Sequence, residues 1–281
     1  MQDSGAKMMI ETGPARRLSW KTLERVGLLV LGQWRAVQYL AAVLGTTLFL
    51  SAQPRRWGRA VRAVFSRQFF SFGVESVRFI LILAVVVGIS VVVQLEVWTG
   101  RLGQSQKLGP LLVVVVAREL GPLFANFVLI VRGGSSIATG LGLMKVGGEV
   151  RVLEAQGLEP LLFLVMPRVL AMALSAFCLT VIFIFVAFAS GYGFGVFFGH
   201  ANVNPSVFLI TVFKAVHPFD AIGLLVKCLL PALLTGVICS TEGLSVEGGV
   251  MQVPVAAQRA LARSLFALFV TSVVVSLLAY S

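Results

Sequence analysis

The chain has 281 residues, 58% of them hydrophobic and only 12% charged, with a formal net charge of +11 and a mean hydropathy of +0.94. A soluble globular domain carries roughly twice that charged fraction, so the composition excludes one and indicates an integral membrane protein. The apolar runs are near 20 residues long and continuous, which excludes a barrel of alternating strands of about 10 residues and predicts an all-α protein.

The positive residues cluster beside the apolar runs. That placement indicates orientation in the bilayer and contact with anionic headgroups rather than nucleic acid. Residues 1–25 are polar and basic, and no signal-peptide pattern precedes the first apolar stretch. Residues 26–50 are apolar but contain Gln33, Arg35 and Gln38 beside Trp34 and Tyr39. This mixture suits a helix lying in the interface better than a clean span. An arginine-rich connector follows, with Arg55, Arg56, Arg59, Arg62 and Arg67, and excess arginine assigns it to the cytoplasm. The chain thus divides into a leader with interfacial helix and connector (1–67) and a transmembrane domain (68–281).

Five spans are expected, at 79–95, 108–131, 169–189, 221–240 and 264–280, with the amino terminus inside. Trp98, Tyr192 and Tyr280 then fall at the outer interface, where aromatic belts form. The far-side loops hold few cations: Arg101, Lys107 and Lys214. The third span is expected to be free of charge.

The second span raises the central question. It reads VVVVARELGPLFANFVLIV and places Arg118 and Glu119 in an apolar run, followed by Gly121 and Pro122. A charge in mid-membrane costs about 2.5–3.5 kcal/mol on insertion scales. Pro122 has no N–H, so the carbonyl of Arg118 loses its helical donor. Such a site is tolerated where it faces protein or a wet cavity. It is either a buried ion pair that fixes packing or part of a substrate pathway or moving element.

The interval 132–167 is the longest polar stretch between spans and is assigned to the cytoplasm. Within it, GLMKVGGEVRVLEAQGLEP (142–160) shows an irregular amphipathic helical pattern, with Val146, Val150, Leu153 and Leu158 apolar. Such a helix lies along lipid or docks into a partner's groove.

No catalytic constellation appears. Cys178, Cys228 and Cys239 lie singly in apolar segments and read as core residues. His200 and His217 lack metal-ligand spacing. The glycines of GYGFGVFFG (191–199) suit close helix approach rather than nucleotide binding. The absence of G-x-x-x-x-G-K-[ST] means that this chain is not itself a P-loop ATPase, and a partner must supply any ATP hydrolysis.

The ordered motifs RELGP (118–122), RGGSS (132–136), GLM (142–144), Pro160 and PRVLA (167–171) resemble the MlaE (YrbE-type) family of ABC transporter permeases, without gaps from Leu108 to Ala171. The resemblance implies a non-catalytic permease in the bacterial inner membrane, paired with a second copy or a paralogue. Its implied partners are a cytoplasmic ABC ATPase dimer, which binds ATP and Mg, and an MCE-type lipid-binding protein. The implied cargo is phospholipid or a related lipid.

Under the resemblance, residues 139–157 form the segment that couples to the ATPase, with Met144, Lys145, Glu149, Arg151 and Glu154 as contact residues. Arg118, Glu119, Gly121 and Pro122 lie at the lipid cavity. The chain departs from the family pattern in its acidic residues. Gly140 stands before the G-x-M motif, Gly148 and Glu149 stand where Glu-Gln is common, Glu159 replaces an aspartate, and Thr271 occupies the aspartate position of the last span. Two other functions compete: an ion-coupled secondary transporter using Glu119, Arg118 and Lys227, and a non-transporting scaffold of an envelope complex.

Overall fold

The computed structural model describes residues 38–51, 53, 57–101, 111, 113–197 and 218–280. The leader, the start of the interfacial segment, Arg55, Arg56, Lys107, both histidines and Lys214 lie outside the described residues, as does the side chain of Tyr280. Among the described residues the structure is helical, without strands.

The helices are α1 (Gln38–Ser51), α2 (Arg59–Arg101), α3 (Gly121–Leu129), α4 (Ser135–Val146), α5 (Glu149–Ala155), α6 (Met166–Phe197), α7 (Pro218–Leu244) and α8 (Val253–Tyr280). Contacts divide the chain into a small unit ending at Val43 and a larger one from Leu44 onward. The described part of α1 is shorter than the ~20 residues a crossing requires. Within the larger unit Trp57 donates its indole N–H to the carbonyl of Ser51 at 2.9 Å.

Five helical stretches are long and apolar enough to cross a membrane: Arg59–Leu95, Val114–Val146, Leu161–Phe194, Ala221–Leu244 and Val250–Leu278. The number matches the sequence reading, but the bounds do not. The first span is one helix from Arg59, so Arg59, Arg62 and Arg67 are helical. Arg59, Arg62 and Arg67 do not break this helix, because arginine is a good helix former. The second span continues past Arg132 to Val146, since Gly133, Gly134, Ile137 and Ala138 are buried there. The third span starts near Leu161 and takes in Arg168, so it is not free of charge. The fifth begins near Val250 and includes Arg259 and Arg263.

Helix α6 is the centre of the bundle, packed on α2 and α7, while α7 also packs on α4 and α8. Close approach depends on glycine. A Cβ on Gly88 would lie 2.4 Å from the carbonyl oxygen of Ala187, and one on Gly191 would lie 2.2 Å from Val92. The small-residue reading of residues 191–199 therefore holds at Gly191, whereas a Cβ on Gly193 meets nothing within 4 Å. Phe72, Ile80, Leu129, Met172 and Phe183 fill the buried centre, joined by Cys228 and Cys239. All three cysteines are free thiols.

Candidate functional site: a polar cluster between three spans

The second span does not run as a uniform α-helix. Val113–Leu120 and Ile130–Gly134 are π-helical, as is Leu161–Val165 at the start of the third span. A wider turn shifts the register of the backbone bonds and commonly marks a functional position. Arg118 and Glu119 stand at the end of the first of these, immediately before Gly121 and Pro122.

The structure gathers three further polar residues around them. Lys227 of α7, with its side chain only 2% exposed, pairs directly with Glu119 Oε1. The same ammonium donates to the carbonyl oxygen of Arg118 at 3.2 Å. Pro122, four residues on, has no N–H to offer this carbonyl in a regular α-helix, and the lysine donates to it from the fourth span. Ser276 of α8 donates to Glu119 Oε1 at 2.9 Å. One turn further on, Asn126 donates from Nδ2 to the carbonyls of Pro122 (2.9 Å) and Cys228 (3.2 Å), tying the second span to the fourth.

The fourth span repeats the device of the second. Pro231 lies inside α7, four residues after Lys227. Each partner of the ion pair thus precedes a helix-weakening proline: Pro122 follows Glu119 and Pro231 follows Lys227. Gly121 allows the close packing this needs, since a Cβ there would lie 2.9 Å from Ile184.

The pair is asymmetric in its surroundings. The lysine is enclosed, while the Glu119 side chain is 41% exposed. Beside it, α8 presents Val273, Val274, Leu277 and Leu278 to the outside. The carboxylate therefore stands at the edge of an open apolar face. It lies about 40 Å along the helix from Val146, in the half of the bundle remote from α5, rather than in the middle of its span.

The remaining sequence-derived residues lie at the α5 end. The segment 139–157 is not one element. Met144 and Lys145 are in the last turn of the second span, and the chain then turns at Gly147 and Gly148. Gly148 has φ +79°, a left-handed conformation in which an L side chain is strained. Helix α5 then buries Val150 in the core and keeps Glu149, Arg151 and Glu154 exposed. Its charged face is free to meet a partner while Val150 and Leu153 anchor it to the bundle.

Two further ion pairs join the spans. Arg263 pairs with the mostly buried Glu242, joining the fourth and fifth spans. Arg132 donates to the carbonyl of Glu75 at 2.8 Å, with a second nitrogen 3.6 Å from its carboxylate, and lies 4.6 Å from the Phe79 ring centroid.

Two departures from the family pattern acquire a geometry. A Cβ at Gly140 meets nothing within 4 Å, so its place has room for a side chain. Thr271 bonds back to the carbonyls of Ala267 and Leu268 on its own helix. Lys227 was the only member of the wider cluster visible in the sequence as an intramembrane charge. Ser276 and Asn126 are ordinary small polar residues, and only a model of which helices adjoin could have found them.

Comparison with known proteins agrees with this architecture. The chain is 27% identical over 211 residues to the chloroplast protein Trigalactosyldiacylglycerol 1 of Arabidopsis thaliana, covering 73% of this chain and 58% of that one. It is 29% identical over 223 residues to a probable ABC transporter permease of Synechocystis, covering 79% and 84%. It is also 29% identical over 154 residues to a probable ABC transporter permease of Rickettsia prowazekii, covering 54% and 59%. The chain thus spans less than two thirds of the length of two of these relatives. The family model described as Permease MlaE matches residues 65–278, which take in all five spans apart from the first turns of the first, and the chain belongs to the MlaE permease family.

Proposed function

We propose that the chain is the membrane subunit of an ABC transporter that moves phospholipid or a related lipid between the bacterial inner membrane and the envelope. A separate ATPase dimer supplies the energy. The observation that carries this reading is the Glu119–Lys227–Ser276 cluster beside the open apolar face of α8. A half-exposed carboxylate bordered by aliphatic side chains suits a molecule with a polar head and apolar tails. A second permease copy or a paralogue, set against α8, would close this face into a shared cavity. The relative named for trigalactosyldiacylglycerol supports a lipid cargo. An MCE-type protein is the proposed recipient or donor of the lipid beyond the membrane.

The proposed mechanism is mechanical. The ATPase grips the charged face of α5 and the adjoining Met144–Lys145 turn. Closure of the ATPase on ATP moves α5, and the buried Val150 and half-buried Leu153 pass that motion to the spans. The second span connects this end to Arg118 and Glu119 along one continuous helical path, with its π-helical turns as the points of give. In this orientation α5 and the amino terminus face the cytoplasm.

The direct Glu119–Lys227 contact also favours a second reading, in which the pair relays protons in a secondary transporter. Affinity purification in mild detergent separates the two. The permease reading predicts a nucleotide-binding partner that is retained by the wild-type chain and lost on joint reversal of Lys145→Glu and Glu149→Lys. Transport by the chain alone under a pH gradient, with no ATPase retained, refutes it.

A further inference from the structure

A cavity of about 400 Å³, open on one side, lies at the α5 end of the bundle, remote from the Glu119 cluster. Val64, Arg67, Gln68 and Ser71 of α2, Ser136 of α4 and Arg168 of α6 line it. We propose that it is a second ligand site, which holds the phosphate of an anionic lipid headgroup from the leaflet on the α5 side.

The lining chemistry points to a phosphate. Two arginines line one space together with two serines and a glutamine, and no acidic residue lines the cavity. Arg168 is held in position: one terminal nitrogen donates to the carbonyl of Leu164 at 3.1 Å, and the other lies 3.7 Å from Met144 Sδ. A guanidinium has five N–H donors in a planar fork, so these two contacts fix its plane and leave donors for an anion. Such a fork matches two phosphate oxygens at once. The nearby acid, Glu75, lies one turn beyond Ser71 and is paired with Arg132.

The depth of the cavity indicates a lipid rather than a solute. The first span has 37 residues and the third 34, lengths of about 50–55 Å, against a hydrocarbon core of about 30 Å. Two or three turns of each therefore stand in the headgroup layer. Arg67 lies two turns from Arg59, and Arg168 two turns from Leu161, which puts both arginines at the headgroup boundary. Exposed Phe70 and Val74, the next residues along α2, continue from the cavity toward the apolar region and offer a track for acyl chains.

The site is distinct from the Glu119 cluster and needs neither an ATPase nor a second copy. Which leaflet it samples rests on the orientation proposed above. A bound headgroup here would sit between α2, α4 and α6, next to the Met144 turn that leads into α5. Lipid occupancy and the position of α5 are thereby linked.

The test is native mass spectrometry of the purified full chain in neutral detergent. The probes are dioleoyl phosphatidylglycerol and dioleoyl phosphatidylcholine, with and without millimolar inorganic phosphate. The wild type should retain phosphatidylglycerol preferentially. Arg67→Glu, at an exposed position, should lower that preference about tenfold, the loss of one charge-assisted contact. Filling the cavity with Ser136→Trp should do the same, and Arg168→Gln should abolish it in protein whose melting is unchanged. Retention unaffected by Arg67→Glu and Ser136→Trp overturns the site. Displacement of the lipid by inorganic phosphate alone overturns the lipid assignment in favour of a free anion. Because no ATPase is present, lipid retention here stands or falls separately from the proposed function, which the absence of a nucleotide-binding partner in the affinity assay would sink while leaving this site standing.

Discussion

The Glu119–Lys227 pair should be more sensitive to loss of the acid than to loss of the base. In Glu119→Ala, the Lys227 ammonium stays behind with 2% of its side chain exposed and keeps its hydrogen bond to the Arg118 carbonyl. Stranding a buried charge costs about 3–5 kcal/mol, and the remaining hydrogen bond places the value near the lower end, about 3 kcal/mol. In Lys227→Met, the carboxylate keeps Ser276 and its 41% exposure. The main loss is then the donor to the Arg118 carbonyl, about 1–2 kcal/mol. The double variant, with neither charge, should be more stable than Glu119→Ala alone, with a coupling of about 1–3 kcal/mol. Equilibrium unfolding in mixed micelles, on the four proteins of the cycle, measures all three numbers. Strict additivity, or a Lys227→Met variant less stable than Glu119→Ala, would refute the geometry.

Other sites follow from the same packing. Asn126→Leu removes the donor shared by the Pro122 and Cys228 carbonyls and should cost about 1–3 kcal/mol of stability in the same unfolding assay. Gly88→Leu forces side-chain atoms onto the Ala187 backbone, where a Cβ alone would approach to 2.4 Å. Overpacking of about 1–3 kcal/mol or more should appear as a lowered melting temperature. Gly148→Val strains a left-handed turn at φ +79° by about 1–2 kcal/mol; it should leave the bundle folded by circular dichroism yet weaken retention of the ATPase in the affinity assay.

Hydropathy revealed the number of spans, because burial in lipid leaves a continuous apolar run in each. Their ends were hidden, because the helices run on beyond the most apolar stretches through Arg62, Arg67, Arg168, Arg259 and Arg263, and arginine is a good helix former. The second span ran on past Arg132 because Gly133–Ser136 reads as a loop locally, whereas Gly133 is packed against Phe72 and Met172 and Gly134 against Cys239. The RELGP motif showed its anomaly directly through a proline that has no N–H to offer the Arg118 carbonyl four residues earlier. That Lys227 donates to this carbonyl depends on which helices meet, and the same is true of Ser276 and Asn126. The turn at Gly148 was visible only as a weak spot in an amphipathic pattern; its left-handed backbone separates the end of the second span from α5.

The most direct test of the account is ATP-dependent movement of a fluorescent phospholipid in proteoliposomes. These would hold the chain with its co-purified ATPase, wild type against Glu119→Gln, at matched amounts of folded complex. The account predicts lipid movement that requires ATP and falls at least about tenfold in the variant, as expected when a charged contact to the cargo or its cavity is lost. Equal rates for the two proteins, or movement that proceeds without ATP, would contradict it.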